Sequence, residues 1–369
     1  VQAYLDHAAT SPVRPETSAA MLPWLTGRFG NPSGSHAVAR EARRAIEEAR
    51  DVMAEVLGVS PGGIVFTGGG TEADNLAVSG VVGARPGTIV TTAIEHEAVL
   101  RAAASTGAEV RLAPVDVEVL SEMLDPDVTL VSVMLVNNEV GSVQPLDRVA
   151  AAVRRRAPGA VVHTDAVQGL LWLDLRRAAR PADLISLSAH KFGGPQGVGL
   201  LAVRGDVPLR PLLHGGGQER ERRSGTQNVA GIVGMAAAAQ VTDRERDDAV
   251  ASVRRLRDRL VDGLLAAVPG AAETGGRCHK VAGTAHLRFE GVESEALLFL
   301  LDAGGICASA GSACASGALE ASHVLLAMGH AEVGALGSLR LTLGPTTSGA
   351  DIDAALAVIP AAVAQLRAG

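Results

Sequence analysis

Lysine is almost absent from this chain: Lys191 and Lys280 are the only two, and every other strong base is arginine. A guanidinium stays protonated, so imine chemistry through the protein's own side chain requires one of these amines. Cysteine is scarce as well. The three thiols, Cys278, Cys307 and Cys314, are too few and too scattered for a disulfide framework. Without a CxxC pair or an HExxH, the sequence offers no zinc site. Aromatic residues make up 2%, so the core must be built from Ala, Val and Leu. Basic blocks with interleaved aromatics are missing and the net charge is −7. The arginine runs Arg43-Arg44, Arg154-Arg155-Arg156 and Arg254 to Arg259 fall on helix-like segments and read as solvated faces, which argues against nucleic acid as a direct partner. No run approaches the ~18–20 uninterrupted apolar residues of a membrane span, and the N-terminus lacks a basic-then-apolar signal pattern. A cytoplasmic protein with no membrane partner is expected.

What is present reads as a globular α/β enzyme. A chain of 369 residues, 47% hydrophobic and 20% charged, exceeds a single core and predicts a large domain plus a smaller one. Ile64–Thr67, Thr88–Thr92, Val128–Val136, Ala160–Thr164, Leu184–Leu187 and Val198–Val203 are apolar runs of strand length. Helical patterns separate most of them, including one from Glu95 to Ala104. This alternation predicts a mostly parallel sheet covered by helices, with ligands at the carboxyl ends of the strands. After Asn228 a Gly/Ala-rich helix leads into a charged one from Asp243 to Ala267. The remainder reads as α+β, with strands at Thr284–Phe289 and Leu339–Leu343 and a terminal helix. The expected division is a large domain over 12–250, and a small domain formed by 1–11 with 251–369.

Polar residues cluster just past the predicted strand ends. Lys191 follows Leu184–Leu187 in Ser188-Ala-His190-Lys191, ahead of a Gly/Pro turn; a lysine desolvated there can act as an amine nucleophile, although taken alone it is more simply a lone survivor of an arginine-rich composition. Gly68-Gly-Gly70-Thr71 opens a helix and suits a phosphate; an ordinary glycine turn is the competing reading. Asp165, in His163-Thr-Asp165-Ala-Val-Gln168, ends a buried strand and needs a cation; a structural cap is the competing reading. Asn137-Asn138 could orient a carboxylate or simply form a turn, and His96 could act in chemistry or cap its helix. Arg340 sits among apolar neighbours and wants an anion, either a bidentate ligand carboxylate or a structural partner. Cys314 is surrounded by small residues and fits an exposed loop, where a thiol is accessible; its ordinary pKa of about 8.5 must fall for it to become a nucleophile. Cys307 reads as buried strand filler.

Together these motifs resemble the cysteine desulfurases, within the class V aminotransferase branch of fold-type-I pyridoxal-phosphate enzymes. The match covers nearly the whole chain. It runs through Tyr4-Leu-Asp-His-Ala-Ala-Thr10, Gly30-Asn-Pro-Ser33, Ile64 to Asn75, Glu95-His96, Val136-Asn-Asn-Glu-Val-Gly141, His163 to Gln168 and Ser188 to Lys191. His214-Gly-Gly-Gly-Gln-Glu-Arg220, Arg223-Ser-Gly-Thr226, Gly311-Ser-Ala-Cys314 and Leu339-Arg340 complete it.

The resemblance implies that Lys191 holds pyridoxal 5'-phosphate as a Schiff base and that Asp165 pairs with the ring nitrogen. It implies that Gln168 bonds the phenolic oxygen and that His96 stacks on the ring. Gly70, Thr71, Ser188 and His190 would take the phosphate, joined by Thr226 of a second subunit in a homodimer. Asn138 and Arg340 would hold the carboxylate of L-cysteine. Cys314 would take its sulfur as a persulfide, releasing L-alanine and passing sulfur to an acceptor protein such as an iron–sulfur scaffold or a tRNA thiolation enzyme. Two departures stand out: Gly68-Gly-Gly replaces a more usual Ser-Gly-Ala, and Ala310 stands where serine is common. A selenocysteine lyase or a class V aminotransferase is the alternative on the same fold, though an aminotransferase has no need of the thiol. A non-catalytic sulfur-transfer docking protein would have lost Lys191 or Asp165, and a nucleotide-binding α/β protein would carry a phosphate-loop or dinucleotide fingerprint.

Overall fold

The structure, a computed structural model, describes residues 2–310, 322–330 and 337–368. Cys314 and the Gly-Ser-Ala-Cys stretch lie outside the described residues. The strands, numbered along the chain, are β1 (Ala3–Tyr4), β2 (Ile64–Thr67), β3 (Thr88–Thr92), β4 (Val110–Ala113), β5 (Val128–Ser132), β6 (Val161–Asp165), β7 (Leu184–Ser188), β8 (Gly199–Val203), β9 (Ala271–Glu273), β10 (Thr284–Phe289), β11 (Ile306–Cys307) and β12 (Ser338–Thr342). The chain divides into a larger unit, Ser11–Val136 with Gln144–Arg244, and a smaller one, Val1–Thr10 with Asn137–Val143 and Glu245–Gly369.

The larger unit is built on a seven-stranded sheet of order β2-β8-β7-β6-β5-β3-β4. Strands β4, β3, β5, β6 and β7 pair in parallel, and β8 is antiparallel to both β7 and β2. Within this sheet β8 alone runs the other way, so β2, β3, β5, β6 and β7 all open their carboxyl ends on one edge. That geometry brings residues far apart in sequence to a common rim. These strands read as continuous apolar runs because both sheet faces are covered. On one face the helix Gly70–Ala84 buries Ala73, Leu76, Ala77, Val78 and Val81 against Val65, Ile89, Leu130, Leu184 and Leu201. The helix Ala37–Leu57 is bounded as its ends require: His36 accepts the Ala39 N–H, and Gly58 closes it at φ 63° in the left-handed region.

In the smaller unit β12-β10-β9 form an antiparallel sheet and β1 pairs in parallel with β11. The alternation along β10 explains its burial. Ala285, Leu287 and Phe289 are core residues, while Thr284, His286 and Arg288 point to the other face. The terminal helix Gly349–Ala368 is long and apolar enough to cross a membrane by length and composition. Asp351 and Asp353 interrupt its apolar character, and it buries Ile352, Ala355, Ile359 and Val363 while packing on the helix Ser294–Ala303.

Three details differ from the sequence reading. The Gly/Ala-rich and charged stretches after Asn228 form one helix, Val229–Ala267. Its Gly234 serves packing and does not break it, since a Cβ there would lie 2.6 Å from Met21 Cγ. The expected helix from Glu95 starts at Glu97, with His96 as its N-cap. Cys307 lies in a strand, but at its short edge it is only half-buried and its Sγ accepts from Gln2 Nε2 at 3.0 Å.

Candidate active site

In the larger unit the carboxyl-end rim assembles a polar site. Asp165 is the last residue of β6 and is buried. Its Oδ1 accepts the Val167 N–H at 2.8 Å. Burial pushes the carboxyl up, the Val167 bond lowers it, and the charges of His96 and Lys191 lower it further. Both side chains therefore lie within electrostatic reach of Asp165. Lys191 ends a single 3-10 turn, Ala189–Lys191, that follows β7 directly, and Ser11 Oγ anchors that turn by donating to the Lys191 carbonyl at 3.2 Å. The neighbouring His190 is pushed down to about 4, by burial first and then by the Lys191 charge. At neutral pH it is an uncharged imidazole able to donate one N–H.

His96 ends the turn after β3, and its Nδ1 accepts the Ala98 N–H at 3.1 Å. The capping reading is thus correct, and it has a chemical consequence. With Nδ1 committed as acceptor, the neutral ring carries its proton on Nε2. Ser188 closes β7 and is buried. Gln168 lies half-buried in the turn after β6, and Thr226 is exposed on the stretch before the helix Val229–Ala267.

The glycine turn makes a cradle. Gly70 begins the helix Gly70–Ala84, and no side chain caps that terminus. A Cβ on Gly70 would lie 2.9 Å from Val167 Cγ2 and 3.3 Å from Ser188 Cβ, so glycine alone lets the helix start press against the ends of β6 and β7. Thr71, the second helical residue, is exposed. Uncapped N–H groups at a helix start bind anions. The donor set is therefore an anion cradle, hydroxyls at Thr71 and Ser188, an amine at Lys191 and a buried carboxylate at Asp165 that wants a cation. These groups fit a cofactor bearing a phosphate, a carbonyl carbon and a protonated ring nitrogen, as pyridoxal 5'-phosphate does.

Several residues of this site were not anticipated. Glu72 accepts the Gly68 N–H at 2.7 Å and pairs with Arg223 at 2.7 Å, which ties the glycine turn to the segment carrying Thr226. Glu219 forms a buried two-point pair with Arg50 at 2.9 and 3.1 Å and also takes the Phe66 N–H. Behind Asp165 lie two more buried acids. Burial, then the Asp165 charge, holds Asp74 well above the carboxylate range. Glu95 is pushed up to about 8 by burial, against bonds from Thr92 and the Met134 N–H. The available signal was an acid inside an apolar helical stripe (Asp74) or directly before a helix-opening histidine (Glu95).

In the smaller unit Arg340 lies on β12, opposite His286 of β10. Its Nη2 donates to Asp6 Oδ1 at 2.8 Å and its Nη1 to the Asn138 carbonyl at 3.0 Å. The anion it meets in this structure is thus Asp6. Asn137 and Asn138 divide their work: Asn137 Oδ1 accepts the N–H groups of Glu139 and Val140, which is the turn-forming role. Gly141 completes that turn at φ 76°. Glu139, held up by burial, accepts from Ser322.

Known proteins share this architecture along its length. The model of the aminotransferase class-V family matches residues 3–355. An IscS-like cysteine desulfurase of Mycobacterium tuberculosis is 47% identical, with 99% of this chain and 97% of that protein covered. Cysteine desulfurase IscS of Methanosarcina thermophila is 42% identical, with 99% and 92% covered. A solved structure described as a NifS-like protein superposes with a TM-score of 0.92 at 36% identity, covering 99% of this chain and 100% of that one. By family match, full-length identity and fold, the chain belongs to the aminotransferase class-V family and, within it, to the pyridoxal-phosphate-dependent cysteine desulfurases.

Proposed function

We propose that this protein removes sulfur from L-cysteine, releases L-alanine and hands the sulfur from Cys314 to an acceptor protein. The observation that carries the reading is the buried carboxylate of Asp165 at the end of one strand, within electrostatic reach of Lys191 at the end of the next, with the uncapped helix start at Gly70 packed against both strand ends. Pyridoxal phosphate, when bound, withdraws electrons from the substrate's α-carbon through its protonated ring. Lys191 Nζ holds the cofactor and afterwards is free to carry a proton at that carbon. Asp165 keeps the ring nitrogen protonated, and Gln168 bonds the phenolic oxygen. His96 would stack on the ring, with its Nε2–H as a hydrogen-bond donor beside the reacting atoms. Gly70, Thr71, Ser188 and neutral His190 bind the phosphate by hydrogen bonds. Arg340 and Asn138 hold the substrate carboxylate.

The thiolate of Cys314 attacks the substrate sulfur. An S–S bond forms and the Cβ–S bond breaks, and its electron pair stays with the carbon skeleton, which takes up a proton at Cβ and leaves as alanine. The persulfide then passes its outer sulfur to a thiol of an acceptor, such as an iron–sulfur scaffold or a tRNA thiolation enzyme. Residues Gly311 to Cys314 resemble those of the group that delivers sulfur directly, and Ala310, where serine is common, is the departure within that resemblance.

A homodimer belongs to this reading, because Thr226 would serve the phosphate of a second copy. Leu22, Leu25 and Phe29, exposed on and just after the helix Pro15–Leu25, offer apolar surface for that copy to cover. A reducing, cytoplasmic location suits a chain that works through a free thiol.

The test is spectroscopic. The holoenzyme is expected to show a near-visible absorption band of the lysine-bound cofactor, and Lys191→Ala is expected to lose it. Wild-type protein without that band in excess cofactor would sink the reading.

A further inference from the structure

We propose that Asp6 is a built-in counter-ion for Arg340: it fixes the guanidinium in one orientation and weakens its hold on a bound carboxylate, so that the product leaves. The inference deepens the reading of Arg340 as the carboxylate site and rests on it. Asp6 is placed by backbone, independently of its side chain. The Leu5 N–H donates to the Cys307 carbonyl at 2.9 Å, the Thr342 N–H to the Leu5 carbonyl at 2.7 Å and the His7 N–H to the Thr342 carbonyl at 3.2 Å. This arm runs along β12 and sets Asp6 opposite Thr342. From there Asp6 Oδ1 reaches Arg340 Nη2 at 2.8 Å, with the two side chains 20% and 7% exposed.

The guanidinium is held but not saturated. Nη2 has Asp6 and Nη1 has the Asn138 carbonyl. Nε is buried and has no hydrogen-bond acceptor among the described residues. Buried donors are almost always paired, and the residue facing Arg340 across the strands supplies no charge to compensate. That residue, His286, is pushed to about 3, by burial first and then by the charges of Lys280 and Arg340. An incoming carboxylate binds the guanidinium by charge-assisted bonds and then shares it with Asp6. Like charges roughly 6 Å apart repel strongly enough to move a dissociation constant about threefold in bulk water and about a hundredfold near a protein surface, so a partly hydrated pair is expected to shift it about tenfold. Asp6 thereby spares the empty enzyme a bare buried cation and prevents the site from trapping its product.

Binding of L-alanine to the holoenzyme tests this, by calorimetry on wild type, Asp6→Asn, Asp6→Ala and Arg340→Gln, with L-alaninamide as the ligand lacking a carboxylate. Asp6→Asn keeps an oxygen for Nη2 and removes the charge, so it is expected to tighten L-alanine about tenfold, to lower KM for L-cysteine in parallel, and to leave L-alaninamide unchanged. Asp6→Ala loses the oriented acceptor as well and is expected to gain less. Unchanged or weaker L-alanine binding in Asp6→Asn overturns the proposal, as does equal tightening of L-alaninamide. Should Asp6→Asn fold poorly, Asp6→Ala decides alone: no shift in the preference for L-alanine over L-alaninamide overturns the proposal. The underlying reading fails separately, and the proposal with it, if Arg340→Gln binds L-alanine as well as wild type.

Discussion

Asp74 Oδ1 lies 3.6 Å from His163 Nε2, and both side chains are buried, yet the contact is between neutral groups. Burial pushes His163 down to about 3 and holds Asp74 well above its usual range, reinforced by the Asp165 charge. Two carboxyls in one buried site cannot both ionise cheaply. His163 Nδ1 meets Ser132 Oγ at 2.8 Å and its Nε2 meets Ser186 Oγ at 2.9 Å. Ser186 donating to Nε2 and Nδ1–H donating to Ser132 satisfy the ring, while Asp74 Oδ1 is buried with no hydrogen-bond partner among the described residues, which favours the protonated carboxyl. Asp74→Asn is therefore expected to unfold in urea within about 1 kcal/mol of wild type, while Asp74→Ala, which takes the carboxyl away from Ser186, costs about 2 kcal/mol. Equal losses in the two variants would show that Asp74 is charged.

Glu95 makes stability fall with rising pH. Its ordinary value of 4.5 is raised to about 8 in the folded protein, so the native state holds a proton that the unfolded chain has released. Its contribution is complete below pH 4.5 and is lost as pH rises toward about 8. Glu95→Gln is expected to flatten the dependence of unfolding free energy on pH between 5 and 8, by up to about 1.4 kcal/mol per pH unit. A wild-type curve already flat over that window would contradict the assignment.

Much of the architecture was legible because apolar runs of strand length have one good explanation. Ile64–Thr67, Thr88–Thr92 and Thr284–Phe289 are strands at their expected bounds. Other limits were less legible. The apolar run Val128–Val136 leaves the strand ladder after Ser132, although Leu135 still bonds the Asp165 carbonyl at 2.8 Å, since apolarity does not mark where a ladder ends. The site's polar residues were readable as strand-end residues, and Lys191 and Asp165 lie where that reading placed them. Their supports were not. Asp6 meets Arg340 across 334 residues of sequence, and only the folded arm reveals it. Asp74 could have been suspected, since it falls between Ala73 and Ala77 on a buried helical stripe, where an acid is expensive.

Backbone strain is stored beside the site. Glu219, Arg220 and Glu221 take φ of 49°, 56° and 66°, three left-handed residues in a row, none of them glycine. The buried pair of Glu219 with Arg50 holds the first, whereas Glu221 is exposed. Left-handed backbone costs a non-glycine residue about 1–2 kcal/mol, and glycine returns part of that gain as unfolded-state entropy. Glu221→Gly is expected to raise the urea midpoint, by up to about 1 kcal/mol in stability, and Glu221→Ala to leave it nearly unchanged. A destabilised Glu221→Gly would show that the turn is not strained.

The central claim is that sulfur leaves L-cysteine by way of Cys314, and sulfide and L-alanine measured together test it most directly. With L-cysteine and a thiol reductant, the wild-type holoenzyme is expected to release the two products in equal amounts. Cys314→Ser is expected to keep the cofactor's absorption band and release neither product, and Cys307→Ser to stay close to wild type. Wild-type sulfide release from Cys314→Ser, or alanine formed without sulfide, would contradict the account.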